Sequence, residues 1–303
     1  MVDVNEGICA RIPPSIHTGK TLIHFGEEEK PVLELILLGV GAPPPTPQKS
    51  GPCNAIVNGG ELYLVDAARH AATQIMKSGF HVSKVDHLFF THFHSDHYTG
   101  FGEFFISRWI MGASTPLKIY GPSPVEEIVE RMLRYYEYDI DLRAEEGKPR
   151  AGTDIEVSVL TPGDALEVDG LAVRVEKGTH HGNVDDIVSY AFEAEGRKIV
   201  IASDGSPTDK LVPLARGADV LVMHPCIPEL IDERFGSFRA TAKIVAAHHA
   251  TAEEVGRTAA EAAVGKLVFS HVVPPLAPDD KVREAIAPYF DGPIIAGEDL
   301  MRL

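Results

Sequence analysis

Positive charge is what this sequence has least of. Lysine and arginine number 28 against 44 aspartates and glutamates in 303 residues, a formal charge of −16 at pH 7. A surface that acidic repels a phosphate backbone unless its cations are locally concentrated, so nucleic acid is disfavoured as a partner. Cysteine is also scarce. Cys9, Cys53 and Cys226 are odd in number and far apart, which argues against a disulfide framework and fits a reducing compartment. No run of about 18 apolar residues exists to cross a membrane. The opening MVDVNEGICARIPP has an acid where a secretory leader carries basic residues, and no apolar stretch follows it. The expectation is a cytoplasmic protein with no membrane partner. Hydrophobic residues at 44% and charged residues at 24% exclude a disordered, collagenous or coiled-coil chain.

Histidine, by contrast, is abundant. The chain has fourteen, gathered at 92–97, 180–181, 224, 248–249 and 271. Most stand at or just past the end of an apolar run, as when strand-end loops converge on a metal. Apolar runs broken by the Gly- and Pro-rich stretch 39–51 and by Gly59-Gly60 predict strands. A helix over about 69–77 follows, then the short buried strand His87-Leu88-Phe89-Phe90. Residues 101–150 read as an insertion that covers the substrate. Within it, Ser123-Pro124-Val125-Glu126 predicts a helix from Pro124 to about Tyr136, with its polar tail on the surface. Phe101, Phe104, Phe105 and Trp109 have two readings. Their helical spacing favours packed core or a homodimer interface; the other reading is an apolar wall beside the active centre. Strands return from Asp154, and Thr251-Ala252-Glu253-Glu254 opens an alanine-rich helix to about Val264. This rhythm predicts one domain over 1–303, with two sheet layers face to face and helices outside.

The chemistry is concentrated in THFHSDH, where His92, His94, Asp96 and His97 follow a buried strand directly. Imidazole and carboxylate are both zinc ligands, and two ions share such a loop if neighbouring side chains point to opposite sides. The pattern His-x-His-x-Asp-His after an apolar strand, with Asp66 in ELYLVD upstream, resembles the metallo-β-lactamase superfamily. The segments GTHHGNVDDIVSYAFEAEGRKIVIASDG, ADVLVMHP and HHATAEEVGRTAAEAAVGKLVFSHVVPP resemble its tRNase Z and arylsulfatase-like branch. The resemblance implies an α/β fold, a four-layer αββα sandwich. It implies that His92, His94 and His181 hold one divalent ion, that Asp96, His97 and His271 hold a second, and that Asp204 bridges them. His181 fits relatives better than His180. Zn2+ suits the donors best, and Mn2+ or Fe2+ are accepted by the same set. Asp66 is expected to orient a ligand rather than to be one.

Two ions acidify a bridging water, so hydrolysis by a metal-bridging hydroxide follows. Asp96 belongs to the catalytic set as well as to the metal. His249, two residues before the N-cap Thr251, and His224 match histidines placed near the leaving group in the tRNase Z branch. Two departures stand against that branch: Pro225 replaces the glutamate paired to the leaving-group histidine, and Gly205 replaces a threonine after Asp204. Together with the acidic charge they favour a small-molecule substrate: a small ester, sulfate ester, lactone or phosphodiester. The alternatives are a tRNase Z-like endoribonuclease, an iron-dependent thiol dioxygenase and a non-catalytic metal-binding protein.

Overall fold

The computed structural model describes residues 33–179, 186–230 and 247–303. The first strands are β1 (Glu34–Gly39), β2 (Cys53–Asn58), β3 (Glu61–Val65), β4 (His87–Phe89), β5 (Leu117–Gly121) and β6 (Ile155–Val159). Then come β7 (Ala165–Val168), β8 (Leu171–Lys177), β9 (Val188–Ala194), β10 (Arg197–Ile201) and β11 (Val220–Met223). Two short strands follow, β12 (Pro225–Cys226) and β13 (Ala250–Thr251), and the chain closes with β14 (Leu267–Phe269), β15 (Ile294–Ala296) and β16 (Met301–Arg302). Among the described residues these make two seven-stranded mixed sheets, ordered β16-β1-β2-β3-β4-β5-β6 and β15-β14-β11-β10-β9-β8-β7.

Three separate apolar cores show how the layers stack. Side chains alternate across a strand, and in β1 Leu35 and Leu37 join the core between the sheets while Ile36 and Leu38 join the core on the outer face. The second sheet behaves likewise: Ile199 and Ile201 face the first sheet and Val200 faces away. Strands covered on both faces read as continuous apolar runs, which is why ELILLG and RKIVI lack polar alternation. Helices α1 (Ala71–Lys77), α2 (Ser95–Tyr98), α3 (Phe101–Ile110) and α4 (Val125–Glu145) belong to the first half. Helices α5 (Leu211–Ala215), α6 (Ala252–Glu261) and α7 (Asp279–Ile286) belong to the second. The result is the expected αββα sandwich. The described residues cluster into one compact unit, and among them no helix is long and apolar enough to cross a membrane.

Local expectations met mixed outcomes. The Thr251 capping box is present in both directions, with the Glu254 N–H donating to Thr251 Oγ1 at 3.2 Å and the Thr251 N–H to Glu254 at 2.8 Å. Residues 101–150 supply α3, α4 and β5, which lies between β4 and β6. Phe101, Phe104, Phe105 and Trp109 are all buried to 1% exposure or less in the outer core of the first sheet. They are core and not a wall of the active centre. Helix α4 runs to Glu145 instead of ending near Tyr136, and Pro124, not Ser123, occupies its N-cap without a side-chain cap. Its polar tail stays helical with Asp139 and Arg143 paired at four-residue spacing and Ile140 buried, continuing the Glu127–Arg131 and Glu130–Arg134 pairs that precede it.

Candidate metal centre

Asp66, just past β3 and buried, organises the loop after β4. Its Oδ1 accepts the Thr91 N–H at 2.9 Å, and its Oδ2 accepts the Thr91 hydroxyl at 2.8 Å and faces His97 Nδ1 at 2.8 Å. An ionised carboxylate only accepts, so His97 donates from Nδ1 and presents Nε2 to the cluster. Thr91 has one hydroxyl hydrogen, already given to Asp66. His92 Nδ1, 3.0 Å from that hydroxyl, therefore donates to it and carries its lone pair on Nε2. Backbone contacts lock the two loops: the Ala67 N–H meets His97 O at 2.8 Å and the Gly100 N–H meets Ala67 O at 2.9 Å. A Cβ on Gly100 would stand 1.9 Å from Ala68 O, so only glycine fits. Asp66 is thus an orienting residue, as expected.

Around this loop gather residues from distant strands. Asp204 follows β10, and His271 follows β14. His271 Nε2 lies 2.9 Å from Asp96 Oδ2 and 3.4 Å from Asp204 Oδ2. His97 Nε2 lies 3.3 Å from Asp204 Oδ2 and 3.6 Å from Asp96 Oδ2. Three triads have their ligand atoms within 4.8 Å of one another: His92, His97 and Asp204; Asp96, His97 and His271; and Asp204, His249 and His271. All six residues are buried.

The buried carboxylates and imidazoles hold one another charged. Burial would raise the carboxyl of Asp96, yet the His271 hydrogen bond and the His97 and His271 imidazoles hold it down to about 2. Asp204 is likewise held well below the carboxylate range against its burial, chiefly by His271 and His97. Burial opposes charge on His97, but Asp204 and Asp66 prevail and raise it well above an ordinary histidine. His271 is raised in the same way, by Asp204 and Asp96. Among the described residues, His97 Nε2 and His271 Nδ1 are buried without a hydrogen bond. Buried polar atoms without partners are rare, and buried imidazoles converging on two carboxylates match the donor set of a divalent ion. The residues present therefore fit a metal.

Of the residues expected at the centre, His92, Asp96, His97, Asp204 and His271 come together. His94 is half-buried beside His92, with ring centroids 4.9 Å apart, and burial lowers its pKa. His180 and His181 lie outside the described residues. His249 has its Nε2 4.0 Å from Asp204 Oδ2, and its ring lies nearly parallel to that of His271. His224 Nε2 stands 4.0 Å from Asp204 Oδ1 but 3.1 Å from Ala202 O, and its Nδ1 is 3.2 Å from Ser270 Oγ. Burial pushes it down to about 4; neutral, it donates from Nε2 to Ala202 and accepts from Ser270.

One of the two departures from the family pattern has a backbone cause. Gly205 sits at φ 111°, in the region that favours glycine. Pro225 pairs with Ala250 in the parallel β12–β13 ladder, which places His224 and His249 side by side. Thr91 and Arg69 were not anticipated. Thr91 directly precedes the motif, and a hydroxyl beside a ligand histidine is a signal that sequence reading can use. Arg69 donates to Ala42 O at 2.9 Å, and Asp96 and Asp299 support its charge against burial.

Comparison with known proteins places this architecture. Residues 62–272 match the family described as a beta-lactamase superfamily domain. Fold and site together define a metal-dependent hydrolase of the metallo-β-lactamase fold. The chain is 34% identical over 278 residues to Ribonuclease Z of Mycobacterium bovis (strain BCG / Pasteur 1173P2), covering 90% of this chain and 98% of the relative. Ribonuclease Z of Mycobacterium marinum matches at the same identity, length and coverage. Among solved structures, the metallo-beta-lactamase fold protein YhfI from Bacillus subtilis superposes with a TM-score of 0.71 at 18% identity, covering 90% of this chain and 99% of that one. Human tRNase Z, short form, gives 0.67 at 20% identity, covering 89% and 98%. The chain belongs to the metallo-β-lactamase superfamily, in its tRNase Z branch.

These findings overturn two expectations. Relatives spanning nearly the whole chain are named ribonucleases, so neither the small-molecule hydrolase nor the disfavouring of nucleic acid stands, and the tRNase Z-like alternative is the better supported. The whole-chain charge misled because it is a sum. It carries no information about the field at one centre, and it omits divalent ions, which are the largest local charges where they bind.

Proposed function

We propose that this chain is a tRNase Z-like endoribonuclease that hydrolyses a phosphodiester bond in precursor tRNA. The observation that carries the reading is the 34% identity to Ribonuclease Z of Mycobacterium bovis across 98% of that protein. The site's chemistry supports it. His92, His94 and His181 would hold one ion, Asp96, His97 and His271 a second, with Asp204 between them; zinc is the preferred metal for such donors. When bound, the ions supply Lewis acidity toward a phosphoryl oxygen and acidify water. The protein's own groups do the rest. Asp66 keeps the lone pair of His97 turned inward, and Thr91 does the same for His92. His249, beside Asp204 at the head of α6, is the proton source for the departing ribose oxygen, whereas His224 has its ring nitrogens engaged by Ala202 and Ser270. Free, buried Cys53 and Cys226 fit the cytoplasm as the place of action.

The test is direct. Zinc-loaded protein incubated with a radiolabelled precursor tRNA should release a discrete product, and Asp204→Ala should abolish it. An intact precursor under conditions where the protein binds two zinc ions would overturn the proposal.

A further inference from the structure

The last metal ligand is held by a device that starts near the end of the chain. Asp299, half-buried between β15 and β16, has both carboxylate oxygens engaged. Oδ1 accepts the Val40 N–H at 3.1 Å, and Oδ2 accepts the Ser50 N–H at 2.8 Å and the Gln74 side-chain amide at 3.2 Å. Gln74 also donates to Leu38 O at 2.6 Å. These contacts clamp the two ends of the loop between β1 and β2. Between the clamped points lies the peptide unit joining Val40 to Gly41. Its N–H meets Ser50 O at 2.7 Å, and its carbonyl accepts the His271 N–H at 3.0 Å. The packing leaves no slack: a Cβ on Gly39 would stand 2.1 Å from Gly51 O, and one on Gly41 would stand 2.5 Å from Ser50 O.

His271 needs such an anchor. It is fully buried, and its backbone lies at φ 48°, in the left-handed region that a non-glycine residue keeps only when its surroundings over-determine it. In that conformation its ring reaches Asp96 at 2.9 Å and Asp204 at 3.4 Å. We infer that Asp299 is a positioning residue for His271, acting through Val40 and Ser50 to fix the peptide on which this ligand hangs, so that its loss weakens one ion of the pair. The inference rests on His271 being a metal ligand and not on which substrate is cut.

The test uses the full chain with zinc alone as probe, titrated against a chromophoric chelator into wild type, Asp299→Ala and Asp299→Asn. Partners outside the ligand shell typically govern metal affinity by 10–100-fold. Asp299→Ala should therefore weaken one zinc per chain at least about tenfold and leave the other unchanged. Asp299→Asn retains an oxygen for Val40 and should fall between. Hydrogen exchange at the His271 amide should quicken in the same order. Unchanged affinity for both ions, with only a lower melting temperature, would assign Asp299 a structural role and overturn the inference; so would a wild-type chain that binds a single zinc. If Asp299→Ala does not fold, Asp299→Asn decides. A wild type that binds two zinc ions but leaves precursor tRNA intact defeats the proposed function and not this inference.

Discussion

Replacing Asp66 by asparagine separates orientation from folding. The carboxylate serves three donors: Thr91 N–H, Thr91 Oγ1–H and His97 Nδ1–H. An asparagine oxygen at the Oδ1 position keeps the first, but its NH2 group faces the other two. The Thr91 hydroxyl can rotate and accept. His97, held protonated on both nitrogens by Asp66 and Asp204 in the metal-free wild type, must then accept at Nδ1 and keeps only its Nε2 hydrogen, 3.3 Å from Asp204 Oδ2. The metal-free fold thus loses the charge-assisted bond to Asp66 and keeps the one to Asp204, and the net cost should be about 1–3 kcal/mol. That is small beside the roughly 5–15 kcal/mol that holds a domain folded. Metal binding fares worse, because freeing the Nε2 lone pair puts the remaining hydrogen on Nδ1, where it faces the asparagine NH2 instead of a carboxylate oxygen. Zinc affinity should fall about 10–100-fold, equivalent to about 1.4–2.8 kcal/mol. Urea unfolding of metal-free protein gives the first quantity, and competition with a chelator gives the second. Zinc affinity equal to wild type would refute the assignment of the His97 tautomer to Asp66.

Three further outcomes are expected. His249→Ala should lower kcat on precursor tRNA by about 10²–10³ but barely affect bis(p-nitrophenyl) phosphate, whose leaving group needs no proton; equal losses on both would remove His249 from the acid role. Trp109→Ala, at a fully buried position whose indole N–H donates to Pro149 O at 2.9 Å, should cost about 3–5 kcal/mol in urea melts while leaving KM unchanged, and a raised KM with intact stability would return these aromatics to the active centre. Burial pushes the Cys226 thiol up to about 12, and burial together with Asp66 raises Cys53. At pH 8 a disulfide reagent should therefore reach both only after unfolding, and more than one reactive thiol per native chain would contradict their burial.

What the sequence disclosed followed the range of the interactions. The motif from His92 to His97 was legible because its members are near neighbours behind one short strand. The Thr251–Glu254 capping box was legible because both halves lie within four residues. Layering was legible because each strand's apolar run reflects cover on two faces. Helix α4 was underrun because its tail is polar, and the support from i,i+4 ion pairs outweighs that polarity. Asp299 was invisible: its contacts with Val40 and Ser50 span 259 and 249 residues, and no local pattern marks an aspartate that accepts from distant backbone. The substrate class was misread for a related reason. Gly205 and Pro225 counted against the tRNase Z branch, but Gly205 answers to its own φ angle and Pro225 lies in the pairing that brings His224 beside His249.

Substrate preference, measured head to head, decides whether the buried histidines and carboxylates serve RNA. One zinc-loaded preparation should be given precursor tRNA, bis(p-nitrophenyl) phosphate and p-nitrophenyl acetate, and kcat/KM compared. Precursor tRNA should lead by several orders of magnitude, with all phosphodiester turnover lost in Asp204→Ala. A higher kcat/KM for the acetate ester than for the tRNA would contradict the account.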